Sequence, residues 1–203
     1  MNSSQFGWSA ARLRRVAVLC TPLLCLGACA PPEPMVASPN LVRDVPAKVR
    51  PVKDAPPCEV RITEVTDARS SPEMLGVVRG RAVYAPQDTA TWLHSIVEGL
   101  QPRGVTPLFG QDGPVSPDDL TAKVSLQIAW MTNTAENITS TAVLHVQAGR
   151  AGAPAIDKSY RGSGSRMTVM TGSPPEELQK GIDGAIGKAL DSIATDLRQL
   201  CKG

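Results

Sequence analysis

Two adjacent runs near the middle of the chain alternate so regularly between apolar and polar residues that they read as neighbouring strands of one sheet. In the first, Leu120, Ala122, Val124, Leu126, Ile128 and Trp130 face one way and Thr121, Lys123, Ser125 and Gln127 the other. In the second, Ile138, Ala142, Leu144 and Val146 alternate with Thr139, Thr141, His145 and Gln147. Successive side chains of a strand point to opposite faces, so each run offers one face to a core and one to water. The turn between them, at 133–136, predicts a hairpin. A third run from 155 to 164 or somewhat beyond, after a turn at 149–154, makes it a meander.

That sheet needs a cover, and two helices are predicted to supply it. Ser173-Pro174-Pro175-Glu176 is a helix start, with Ser as N-cap, Pro where no amide is needed and Glu placed to close a capping box. The helix should run to about Cys201, with Leu178, Ile182, Ala185, Ile186, Ala189, Ile193, Leu197 and Leu200 on its apolar face. Asp88 caps a second helix, whose Trp92, Leu93, Ile96, Val97 and Leu100 share a face and whose end is marked by Gly104. Cys58, Val60 and Ile62 alternate with Glu59, Arg61 and Thr63 as an opening strand, and 81–85 and 105–109 read as short strands. The expected fold is α+β: a two-layer sandwich of a mainly antiparallel sheet, the meander, with two helices on one face.

The front of the chain has a different character. Arg12, Arg14 and Arg15 precede an apolar run at 16–26 that is too short to span a bilayer, the pattern of an export signal. Leu26-Gly27-Ala28-Cys29 then reads as a lipobox. In bacterial lipoprotein signals of this kind the chain is cut before the cysteine, which is acylated on sulfur and on its new amino group, so Cys29 is the expected lipidation site and the membrane the expected first partner. Ala30, rather than Asp, favours the outer membrane, with the domain facing the periplasm. Residues 30–57 hold eight prolines. They read as an extended tether reaching at most roughly 85 Å at polyproline II spacing, or as an arm partly packed on the domain through Leu41, Val42 and Val45. The expected organisation is 1–28 signal peptide, 29–57 lipidated cysteine and tether, 58–203 folded domain.

Charge excludes one class of partner. Removing 1–28 takes away three Arg and no acid, so 21 basic residues against 19 acidic become 18 against 19. No basic patch remains of the kind that nucleic acid requires. Two of the five cysteines, Cys20 and Cys25, leave with the signal and Cys29 takes lipid. Cys58 and Cys201 remain as an even pair bracketing the domain in an oxidising compartment, and a disulfide between them is expected; two buried free thiols are the alternative. On the chain-entropy model such a link stabilises by roughly 4–5 kcal/mol.

The order of elements, the stretch Val65-Thr66-Asp67-Ala68-Arg69 after the first strand, and the Trp92-Leu93 helix ending in Arg103-Gly104 resemble the YajG-like lipoprotein family over roughly residues 58–198. The resemblance implies an outer-membrane-type lipoprotein with no assigned reaction. The longer proline-rich arm and the Cys58/Cys201 pair depart from it.

The residues that could carry chemistry read mostly as structural. His94 and His145 have no ligand-spaced Cys or carboxylate in sequence, so no metal is expected. There is no Gly-x-Ser-x-Gly elbow and no phosphate-cradling glycine loop, so neither an enzyme nor a cofactor is expected. Asp67 and Arg69 follow a strand directly and either fix the loop beyond it or present it, with Leu75, to a partner. Gly181, Gly184 and Gly187 fall on the side of the last helix away from its apolar stripe, either tolerated there or a surface where another backbone approaches. The expected function is that of a non-enzymatic envelope interaction or accessory protein, meeting another envelope protein or the cell wall. The alternative is a binding module for lipid or another small ligand, for which the Met131, Met167, Val169 and Met170 cluster is the hint.

Overall fold

The computed structural model describes residues 35–36, 58–86, 88–110, 116–134, 137–150, 153–167 and 175–202. The chain divides into two units, 1–31 and 32–203, and every described residue lies in the second. The signal, Cys29 and the apolar tether residues Leu41, Val42 and Val45 lie outside the described residues.

In chain order the elements are β1 (Met35–Val36), β2 (Cys58–Asp67), β3 (Met74–Val78), β4 (Arg81–Tyr84), α1 (Thr89–Glu98), a single 3-10 turn (Gln101–Arg103), β5 (Val105–Leu108), β6 (Thr121–Thr134), β7 (Asn137–Arg150), β8 (Ala153–Met167) and α2 (Pro175–Lys202). The fold is α+β: among the described residues eight strands form one mixed sheet, and both helices pack against it. Asp88 caps α1 as its sequence position implies: its carboxylate accepts from the Thr91 hydroxyl at 2.6 Å and the Thr91 amide at 3.0 Å, which holds its pKa below the usual carboxylate range. Helix α2 lies across β7 and β8, and α1 over β2 and β5.

The expectation of a mainly antiparallel meander is corrected. β6, β7 and β8 do pair antiparallel, but four of the seven strand pairings are parallel: β1 with β4, β2 with β5, β2 with β6 and β3 with β6. β7 occupies one edge of β6 from Thr121 to Thr134, so β2 and β3 share the other, β2 against 121–126 and β3 against 131–132. The cause is connectivity. β4 and α1 carry the chain back to the end of the sheet where β2 began, and β5 therefore enters parallel to β2.

β6 also departs from its expected alternation. Leu126 pairs with Leu144 and Ile128 with Val143, so Gln127 is an extra residue, a β-bulge. One inserted residue reverses the alternation beyond it. Ala129 and Met131 thereby enter the core, while Ile128 and Trp130 turn outward, 44% and 41% exposed.

The core is continuous from Cys58, Val60 and Ile62 through Leu75, Val83 and the α1 face to Leu144, Val146 and the α2 stripe. Cys58 and Cys201 are joined by a disulfide, their Cα atoms 5.5 Å apart, tying the first residue of β2 to the end of α2. Gly162 sets how closely α2 can lie on β8: a Cβ there would stand 1.8 Å from the Ala185 carbonyl oxygen. No larger residue fits without moving the helix.

Candidate functional site

Asp67 ends β2 and Arg69 folds back over it. The guanidinium meets the carboxylate at both oxygens, Nε to Oδ1 at 2.8 Å and Nη2 to Oδ2 at 2.6 Å, while the Arg69 backbone amide donates to Oδ1 at 3.2 Å. Nη1 donates to the Met74 carbonyl at 3.1 Å and Nη2 to the Pro72 carbonyl at 2.5 Å. The guanidinium carbon lies 4.9 Å from the centre of a Trp92 ring, so α1 is drawn into the same cluster. Arg69 is buried and so closes the turn at 68–73 from within. Leu75, singled out with this pair as a contact residue, is corrected: it is fully buried in β3 and offers nothing to a partner.

Arg103 is a second buried cation, one that sequence reasoning did not single out as a structural anchor. Nε donates to Asp191 Oδ1 at 2.6 Å, Nη1 to the Gly99 carbonyl at 2.6 Å and Nη2 to the Gly187 carbonyl at 3.3 Å, which pins the turn after α1 to α2. This explains one of the three helix glycines. A Cβ at Gly187 would stand 3.1 Å from Arg103 Nη2, and one at Gly181 would stand 2.9 Å from Ser140 Oγ. Both glycines are buried, and of the three only Gly184 has open space beside it. The expectation that all three lie on the side away from the packed stripe is corrected for Gly181 and Gly187, because α2 meets the sheet at Ser140 and the Arg103 side chain at Gly187.

The two histidines lack ligand-spaced neighbours in the sequence, but the fold gives both of them partners. His94 stacks on Phe109, ring centres 4.7 Å apart. His145 Nε2 lies 3.1 Å from Asp157 Oδ1 and its Nδ1 3.3 Å from Ser159 Oγ, a carboxylate and hydroxyl brought from the adjacent strand by the β7–β8 register. Ser159 donates to Gln127 Oε1 at 3.0 Å and Gln147 donates to Asp157 at 3.2 Å. The serine proton is thus directed away from the imidazole, the reverse of what an activated nucleophile needs. Among the described residues no group of three or more His, Cys, Asp or Glu is arranged to hold a metal ion.

On the opposite, helix-facing side, Asp196 accepts from Lys158 at 2.6 Å and from the Tyr160 hydroxyl at 2.8 Å. The Lys158 bond lowers the Asp196 pKa, while burial, aided by Asp196, pushes that of Tyr160 well above the phenol range. This trio clamps α2 to β8. Of the methionine cluster, Met131 is buried in the core, and Val169 and Met170 lie outside the described residues.

The side of the sheet away from the helices carries the His145 polar row at one end and an apolar group at the other. Val77 pairs with Ala82 and Thr132, and Trp130 lies two residues from Thr132 on the same face. Ile128 lies beside Val143, and Tyr84 pairs with Met74 at the β4 edge. Val77 and Tyr84 are 40% and 36% exposed. Four large apolar side chains thus lie on one face that no described element covers, and have no part in the core.

Neither a family model nor a curated protein matches the chain. Solved structures similar to it include the protein XCC0632 of Xanthomonas campestris, at 11% identity and a TM-score of 0.45, covering 81% of this chain and 92% of that one. The protein CT253 of Chlamydia trachomatis is similar at 10% identity and 0.45, covering 71% and 98%. Lipoproteins stand among the similar structures: a minor lipoprotein of Acinetobacter baumannii has 11% identity and a TM-score of 0.39, covering 73% and 94%. At these scores the likeness carries no argument about activity or partner.

Proposed function

We propose that this chain is a lipid-anchored, non-enzymatic envelope protein of the YajG-like kind, held at the outer membrane through Cys29 and facing the periplasm, where it serves as an interaction or accessory protein. The observation that carries the reading is the Cys58–Cys201 disulfide. Such a link belongs in an oxidising compartment, which is where the export signal and Leu26-Gly27-Ala28-Cys29 would deliver the domain. Among the described residues no helix is long and apolar enough to cross a membrane, so the described part supplies no helical anchor of its own. The buried Arg69 and Arg103 and the half-buried Asp67 are engaged in holding turns. Partner capture therefore falls to exposed elements, and β8, which among the described residues pairs with β7 alone, leaves an edge to which another strand can add.

The small-ligand reading draws less support. A depression of about 370 Å³ lies at the end of α1, lined by Glu98, Gly99, Gln101 and Pro102, rather than between the sheet and the helices. Photoreactive residues at Ser70 in the turn and Ser163 on β8, crosslinked in intact cells and followed by mass spectrometry, test the proposal. A protein or cell-wall fragment attached at either site supports it. Capture of lipid alone at both sites, or of nothing while the mature protein is present, contradicts it; lipid at Ser163 alone does not, since Ser163 pairs with Thr141 in the row of Trp130.

A further inference from the structure

The position of β1 changes what the proline-rich arm can do. Met35 pairs with Val83 and Val36 with Tyr84, so the chain is fixed to the sheet edge at residue 35. Only residues 30–34 separate that point from Cys29. Six Cα steps span about 20 Å at full extension, against the roughly 85 Å open to a free arm of the whole 30–57 segment. A lipid on Cys29 would therefore hold the bilayer within about 20 Å of the β4 edge.

That edge borders the apolar face. Tyr84 itself carries the pairing with Val36, and Trp130 lies two strands away, about 10 Å at the spacing of paired strands. The Gln127 bulge is what puts Trp130 and Ile128 on this side rather than in the core. A tryptophan and a tyrosine with aliphatic neighbours are the residues that settle at the boundary of headgroups and acyl chains. Arg161, exposed and paired with Val143 on the same face, adds a cation suited to anionic headgroups.

From these placements we propose that the uncovered sheet face bearing Val77, Tyr84, Ile128 and Trp130 docks on the surface of the membrane that holds Cys29. The inference rests on the lipid-anchor reading above and deepens it. The domain lies against its own bilayer, with the helices turned to the periplasm, and does not stand off on a long tether. Acyl chains provide the hold, and the sheet face fixes the orientation.

The test uses the mature lipidated protein reconstituted in vesicles of phosphatidylethanolamine and phosphatidylglycerol. Trp8 leaves with the signal, so Trp92→Phe makes Trp130 the single tryptophan. If that variant does not fold, the natural protein serves instead, because Trp92 is buried and contributes a constant background. Flotation with the vesicles checks the anchor, and emission is compared between ordinary and brominated phospholipids. A several-fold loss of Trp130 emission in the brominated vesicles is expected. Protein that floats but shows no quenching overturns the docking while leaving the anchor intact. Trp130 shielded from acrylamide yet unquenched by bromine overturns it in favour of a second copy or of residues 37–57 as the cover. Protein that does not float overturns the anchor, and the docking with it.

Discussion

Removing either member of the Asp67–Arg69 pair is expected to unsettle the turn after β2 and with it the seat of α1. The Arg69 side chain is 4% exposed and that of Asp67 11%, so the guanidinium has almost no water to fall back on and the carboxylate little. Breaking a buried pair by deleting one partner costs about 3–5 kcal/mol. Asp67→Ala leaves the guanidinium with the Met74 and Pro72 carbonyls, which places its cost near about 3 kcal/mol. Arg69→Ala strands the carboxylate and both carbonyls and bares the Trp92 ring, which places it near about 5 kcal/mol. The double variant removes both charges, so the two costs should fail to add by about 2 kcal/mol. Arg69→Lys should cost nearly as much as Arg69→Ala, since an ammonium cannot span two carboxylate oxygens and two carbonyls at once. Urea unfolding followed by circular dichroism, with the disulfide intact, measures all four. Costs that add to within about 0.5 kcal/mol, or an Arg69→Lys variant of natural stability, would refute the reasoning.

Other perturbations separate further parts of the structure. Reducing Cys58–Cys201, which closes a separation of 143 residues, should lower stability by up to about 5 kcal/mol, and an unchanged urea midpoint would count against the link. Gly184→Ala should stabilise α2 by up to about 1 kcal/mol, whereas Gly162→Ala should unfold or displace the helix; melting temperatures that move in the same direction would contradict the packing. The Asp196 pKa is lowered, so its contribution is present above the ordinary carboxylate value and is lost as pH falls below about 4, while the raised Tyr160 pKa makes its contribution fade above about pH 10. Asp196→Asn should flatten the acid limb of a stability-versus-pH curve, and an unaltered limb would show that the clamp is not the titrating element.

The features legible in the sequence are those that depend on neighbours along the chain. Asp88 before Thr91 is a cap whatever else surrounds it, and the Leu178-to-Leu197 stripe selects the face of α2 by spacing alone. Alternation in 58–62 and 120–126 identifies the buried faces, because the period of a strand is local. Direction is not legible, since the same alternation serves a parallel or an antiparallel neighbour. The bulge at Gln127 is hidden because no glycine or proline marks it; only the register against Leu144 and Val143 shows it, and with it the outward turn of Trp130. The Arg69 cluster is half visible: the pairing with Asp67 follows from nearness, but the Pro72 and Met74 carbonyls come within reach only once the turn has folded. His145 meets Asp157 and Ser159 through a strand register that sequence spacing does not report.

Everything proposed about place and role passes through one residue, Cys29. Mass spectrometry of the amino-terminal peptide of the protein extracted from membranes tests it directly. The expected peptide begins at Cys29 and carries acyl chains on both the sulfur and the amino group. A peptide beginning elsewhere, or an unmodified Cys29 in membrane-extracted protein, would contradict it.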